Sequence, residues 1–200
     1  MEEKLKLEEQ QPLQVVEKVQ DQHIQTIDPL TNTYNKTYFD KHISEIIIRN
    51  QHNDYETGII CFNVDLMSRL NENYSFEIGD SVLQSLSLLV TEFKTPQTDY
   101  LFRLTDSEFA LVIPTKSQEE LFYYCEILRD VIYNHHFETV EKITCSLGAV
   151  IFNQNLSIDT NLKQAEFMLE TSKKQGRNQT NLLNPNSSLF LEEQNKKQTF

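Results

Sequence analysis

The sequence predicts an α/β fold, a mixed β-sheet flanked by helices, and three observations predict it. Short apolar, β-prone runs alternate with longer runs whose apolar residues recur at helical spacing, in the order αβαββαβα. Two of the strand-like runs, YLFRL (100–104) and EFALVIP (108–114), are separated only by a polar tip, which is the pattern of a hairpin. The other strands are separated by helices, the pattern of crossover connections in a sandwich of sheet and helices. Two hundred residues at 38% hydrophobic content suffice for one substantial core.

Residues 1–27 are rich in Glu, Gln and Lys and carry apolar residues at Leu5, Leu13, Val16, Val19 and Ile24, a helical stripe broken by Pro12. They read as a helical extension or linker, either solvated or a short dimerising or signalling helix. The cluster DPLTN (28–32) reads as a turn leading into a helix, with Thr31 or Asn32 as candidate cap. A helix is expected from about Lys36 to Asn50, carrying Phe39, Ile43, Ile46, Ile47 and Ile48. GIICFNV (58–64) reads as a buried strand, and residues 77–94 as a helix with its apolar face at Ile78, Val82, Leu83, Leu86, Leu89 and Val90. After the hairpin, 117–136 is a helix opened by a capping box of Ser117 and Glu120. KITCSLGAVIF (142–152) is a strand, and 160–175 a helix with Gly176 in the C-cap place. The domain spans 28–185, and the polar tail 186–200 is expected to be loosely ordered.

Thirty acidic against eighteen basic residues give a formal charge of -12, and no Lys/Arg run is long enough to offset it against a phosphate backbone. Nucleic acid is therefore not an expected partner. Cys61, Cys125 and Cys145 lie in apolar runs without CxxC spacing and read as buried free thiols of a reducing compartment. MEEKLKLEEQQ has no apolar core of a Sec signal, and no run approaches the ~20 apolar residues of a membrane helix. No membrane insertion and a cytoplasmic location are expected. The five histidines are scattered and make no metal site.

The chemistry would sit where the strand ends in FNVD and meets the hairpin tip TDSE. Side chains alternate along a strand, so Asn63 and Asp65 face one way, and the tip offers Asp106 and Glu108. A magnesium ion bridging triphosphate oxygens needs two or more such acids to converge.

Five segments in one order and spacing resemble the GGDEF domain of the diguanylate cyclase family, over roughly 27–185. IDPLTNTYNKTYF is similar to D-x-L-T-G-L-x-N-R-R-x-F. NVDLMSRLNENYSFEIGD aligns without a gap to D-I-D-x-F-K-x-x-N-D-x-x-G-H-x-x-G-D. TDSEF occupies the signature, preceded by Arg103; ITCSLGAV resembles the strand with S-x-G, and AEFMLETSKKQGRN resembles A-D-x-A-L-Y-x-A-K-x-x-G-R-N. The resemblance implies a nucleotidyl-cyclase, palm-like sheet. It also implies a degenerate site. The positions that bind metal and serve catalysis in the family are here Asn63, Ser107 and Glu108, so one acid of three remains. Thr105 and Asp106 replace the two glycines that let backbone approach the nucleotide. A carboxylate ~4 Å from a phosphate charge costs roughly 1–4 kcal/mol per charge pair at effective dielectrics of 80 to 20. The phosphate-contacting Lys is Ser68.

Asn71 and Asp80 match the guanine-recognising positions, and Lys173 and Arg177 the triphosphate-binding pair. Against those roles, Asp80 would cap the following helix and Arg177 would pair with an acid. The family's inhibitory R-x-x-D is here Pro96 to Asp99, and proline offers no guanidinium, so feedback binding of cyclic di-GMP there is not expected. No metal is expected, with Asp65 and Glu108 the weak candidates. The expectation is a catalytically inactive regulatory module that acts through a protein partner, a second copy of the chain among the candidates. The alternative is a guanine-nucleotide receptor taking GTP and Mg without cyclase activity. A residual diguanylate cyclase using Asp65, Asp106 and Glu108 ranks below both.

Overall fold

The computed structural model describes residues 26–183. Its strands are β1 (Tyr34–Asn35), β2 (Glu56–Val64), β3 (Tyr100–Arg103), β4 (Glu108–Thr115), β5 (Cys145–Ile151) and β6 (Thr180–Leu182). Its helices are α1 (Lys36–His52), α2 (Met67–Tyr74), α3 (Phe76–Phe93), α4 (Gln118–Asn134) and α5 (Ile158–Lys174). The strands form one mixed sheet in the order β1-β3-β4-β2-β5-β6, with β2 antiparallel to both β4 and β5. At the margins, β1 and β6 pair parallel to β3 and β5.

The alternation of β2 divides the interior. Ile60, Phe62 and Val64 join Leu111, Leu147, Val82, Leu86, Leu121 and Cys125 under α3 and α4. Ile59 and Cys61 join Ala110, Val112, Val150, Phe39, Ile43 and Leu169 under α1 and α5. With helices on both faces, the central strand is apolar almost throughout, which is why it reads as a run and not as an alternation. Gly148 sets how closely α5 lies on the sheet. A Cβ there would fall 1.9 Å from the Leu169 nitrogen and 2.4 Å from the Ala165 carbonyl oxygen. Ser172 on α5 then donates to the Leu147 carbonyl at 2.6 Å.

The expected mixed sheet and flanking helices are present, with several corrections. Helix α1 begins at Lys36 as expected, but its cap is Asn35, whose side chain accepts the Tyr38 N–H at 3.0 Å. Thr31 instead closes the preceding turn onto Asp28, and Asn32 takes a left-handed backbone with φ 56°. The helix expected at 77–94 starts at Phe76 and is preceded by the separate helix α2, while the strand expected at 142–152 contracts to Cys145–Ile151. The two marginal strands β1 and β6 were not expected. Ser117 caps α4 by accepting the Glu120 N–H, while the Glu120 carboxylate accepts from the Lys116 N–H one residue outside the expected box. All three cysteines are free and buried, and burial pushes each thiol up. The expected extension up to residue 25 and the tail from 184 lie outside the described residues.

Candidate functional site

Register brings the end of β2 against the hairpin: Asn63 stands opposite Glu108 on one side and Ser146 on the other. The Asn63 amide donates to Ser107 Oγ at 3.1 Å, joining strand end to hairpin tip through two neutral groups. Asp65 is spoken for differently. Its carboxylate accepts from Thr144 Oγ1 and Ser146 Oγ, both at 2.6 Å, and from the Asn178 N–H at 3.0 Å.

Glu108, at the base of the hairpin, is turned inward. Its Oε1 is buried without a hydrogen-bond partner among the described residues. Burial pushes its carboxyl up to about 7, the nearby Glu166 charge adds to this, and Lys173 opposes it. Glu166 is raised as well, by burial and by Asp159.

The hairpin is pinned at its root. Arg103 pairs with Asp28 at 2.9 Å and also donates to the Asp106 carbonyl. Burial alone would raise the Asp28 carboxyl, but hydrogen bonds from Thr31 and Arg103 outweigh it and hold it below the usual range. Asp106 itself is exposed and lines a small cleft of about 290 Å³ with Lys36 and Thr105. It does not join Asn63.

A cleft of about 570 Å³ gathers Asn63, Asp65, Ser107, Lys173 and Arg177, together with Ser68 and Arg69. Sequence reasoning missed Arg69. It lies on α2, a helix of eight residues whose Met67 and Leu70 are only partly buried against the core. Lys173 pairs with Glu170 at 2.7 Å. Neither the Arg69 nor the Arg177 side chain has an ion pair or hydrogen bond among the described residues; the acid expected beside Arg177 is not there.

Asn71 and Asp80 do not line this cleft. Asn71 presses its amide oxygen against Gly79, where a Cβ would come within 1.9 Å, and that oxygen is buried without a partner. Asp80 is exposed inside α3, and the cap of α3 is Ser75 in its place. Ser75 joins the two helices at φ 140° and ψ 169°, a backbone region that glycine alone occupies readily. On the inhibitory-motif side, Pro96 is exposed, while Asp99 is buried and accepts from the Thr95 N–H, Thr98 and the Tyr124 hydroxyl at 2.8–3.0 Å.

The donor set does not fit a magnesium pair. Asn63 and Ser107 are neutral and bonded to each other, Asp65 is already served by three donors, and Glu108 is inward. Among the described residues, no three His, Cys, Asp or Glu side chains converge as metal ligands.

Residues 25–179 match the family model described as Diguanylate cyclase, GGDEF domain. Curated relatives include an uncharacterized membrane protein of Staphylococcus saprophyticus, 27% identical over 165 residues, covering 80% of this chain and 46% of the relative. One from Staphylococcus aureus is 27% identical over 164 residues, covering 79% and 46%. The chain thus spans about half the length of the curated relatives it matches. No helix among the described residues is long and apolar enough to cross a membrane. Among solved structures, the coiled coil and GGDEF domain of DgcB from Caulobacter crescentus, in complex with c-di-GMP, is similar with a TM-score of 0.79 at 19% identity, covering 91% of this chain and 98% of that one. Diguanylate cyclase SiaD from Pseudomonas aeruginosa, in complex with its activator SiaC, has a TM-score of 0.71 at 20% identity, covering 91% and 78%.

Proposed function

The chain belongs to the GGDEF family, and from that premise we propose that it is a regulatory domain of bacterial signalling that works without the diguanylate cyclase reaction. The observation that carries the proposal is the hydrogen bond from Asn63 to Ser107. Two-metal chemistry needs anionic oxygens at that junction, to hold the ions and to balance their charge. An amide and a hydroxyl that satisfy each other supply neither. The regulatory output is a protein contact; a similar structure, diguanylate cyclase SiaD, is in complex with a protein, its activator SiaC. The domain works in the cytoplasm, where its three buried thiols stay reduced. Feedback by cyclic di-GMP at the Pro96–Asp99 position is not part of its regulation, since Asp99 is buried and its oxygens serve the fold.

Purified protein incubated with GTP and Mg²⁺ or Mn²⁺ should yield no cyclic di-GMP. Product above a no-protein control would overturn the proposal. The variant carrying Asn63→Asp, Thr105→Gly, Asp106→Gly and Ser107→Asp serves as the comparison for a rebuilt site.

A second reading is favoured by one observation: Arg69, Lys173 and Arg177 line the same cleft. Those cations suit a triphosphate, so the domain would be a guanine-nucleotide receptor that changes its partner affinity when GTP binds. Calorimetry with GTP tests it. Absence of binding, or binding indifferent to Lys173→Gln, removes it.

A further inference from the structure

We propose a second anion site, behind Arg177 and apart from Lys173 and Ser107, that takes a nucleoside phosphate without a metal ion. The cleft measures about 940 Å³. It goes beyond the regulatory reading; it shares Asp65, Arg69 and Arg177 with the nucleotide cleft described above and is set apart from it by Lys142 and Tyr74 in place of Lys173 and Ser107.

Three cations from three parts of the chain line it: Arg69 on α2, Lys142 before β5, and Arg177 in the turn after α5. On a chain of formal charge -12 this is a local reversal of sign. Neither arginine side chain is compensated among the described residues, and Lys142 lies over the Tyr133 ring at 4.5 Å, with no carboxylate paired to it. Two acids, Asp65 and Glu141, also line the cleft, so three cations stand against two carboxylates, and the Asp65 carboxylate is held by three hydrogen bonds from neutral donors.

The cradle is held in shape. Gly176, Arg177 and Asn178 run through left-handed backbone at φ 125°, 66° and 45°. Arg177 N–H is tied to the Ser172 carbonyl and Asn178 N–H to Asp65, each at 3.0 Å. A guanidinium carried on a fixed turn loses less freedom when it clamps a phosphate. Tyr74, 56% exposed at the rim, presents a ring on which a base can stack.

The test is calorimetry of the full chain in EDTA with pyrophosphate and with GTP. Pyrophosphate binding should weaken at least about fivefold with Lys142→Gln and with Arg69→Gln, and stay within about twofold with Lys173→Gln. Tyr74→Ala should weaken GTP and leave pyrophosphate unchanged. Binding that falls with Lys173→Gln but ignores Lys142→Gln overturns this site and leaves the nucleotide-receptor reading standing. Absence of binding by either ligand in EDTA overturns this site; the nucleotide-receptor reading falls only if GTP also fails to bind with Mg²⁺ present.

Discussion

The carboxylate of Asp65 accepts the backbone N–H of Asn178 at 3.0 Å, joining points 113 residues apart in sequence. The same carboxylate holds Thr144 and Ser146 at the start of β5. An acid named as a weak metal candidate therefore works as a clasp between strand, strand and the turn that carries Arg177.

That clasp predicts its own cost. Hydrogen bonds to a charged group contribute about 1.5–3 kcal/mol each and are not additive, so Asp65→Ala should lower stability by about 3 kcal/mol. Asp65→Asn keeps an acceptor oxygen and should lose less. Urea unfolding of the two variants checks this, and a loss below about 1 kcal/mol for Asp65→Ala would contradict the clasp.

Glu108 predicts a pH dependence. Below pH 4.5 the carboxyl is protonated whether the chain is folded or not, so it exerts no effect. Between 4.5 and about 7 the unfolded chain releases the proton while the folded one keeps it, so stability falls as pH rises. Above about 7 the penalty is constant. Each pKa unit corresponds to about 1.4 kcal/mol, and partial exposure screens part of it, leaving about 1–2 kcal/mol. Glu108→Gln should therefore match the parent at pH 4 and exceed it at pH 8, as read from melting curves across that range.

Ser75 stores backbone strain of about 1–3 kcal/mol while its hydroxyl caps α3 at 3.4 Å. Glycine relieves the strain and loses little as a cap, though it adds entropy to the unfolded chain. We expect Ser75→Gly to be neutral or stabilising by up to about 1 kcal/mol. Ser75→Ala keeps the strained Cβ without the hydroxyl and should destabilise by about 1 kcal/mol. Reversal of that order in thermal melts would refute the assignment of strain.

Gly148 admits no side chain. A methyl group there meets the backbone of α5, which cannot swing aside as a side-chain end would. Gly148→Ala should lose about 3 kcal/mol or more by overpacking, measurable as a fall in the urea midpoint.

Much of this fold is legible because its long elements bury long stripes. The helix start at Lys36, the hairpin and the α4 cap at Ser117 all follow from residues near one another in sequence. Strands of two and three residues, β1 and β6, carry no periodicity and exist only through their partners β3 and β5. Helix α2 is short and only partly buries Met67 and Leu70, and Arg69 hides with it. The site divides in the same way. Lys173 and Arg177 share a cleft with Asn63 and Ser107, as motif spacing implies, whereas Asn71 and Asp80 stand outside it. What Asp65 and Asp99 do depends on partners brought in by folding, such as Asn178 and Tyr124, and no local pattern encodes it.

The Asn63–Ser107 bond has a consequence for how the hairpin tip is held. Two acids facing one another at that junction would repel, and a cation between them would relieve the repulsion. An amide and a hydroxyl adhere by themselves. The hairpin tip is thus tied to the strand end without an ion, in addition to the β2–β4 ladder beneath it.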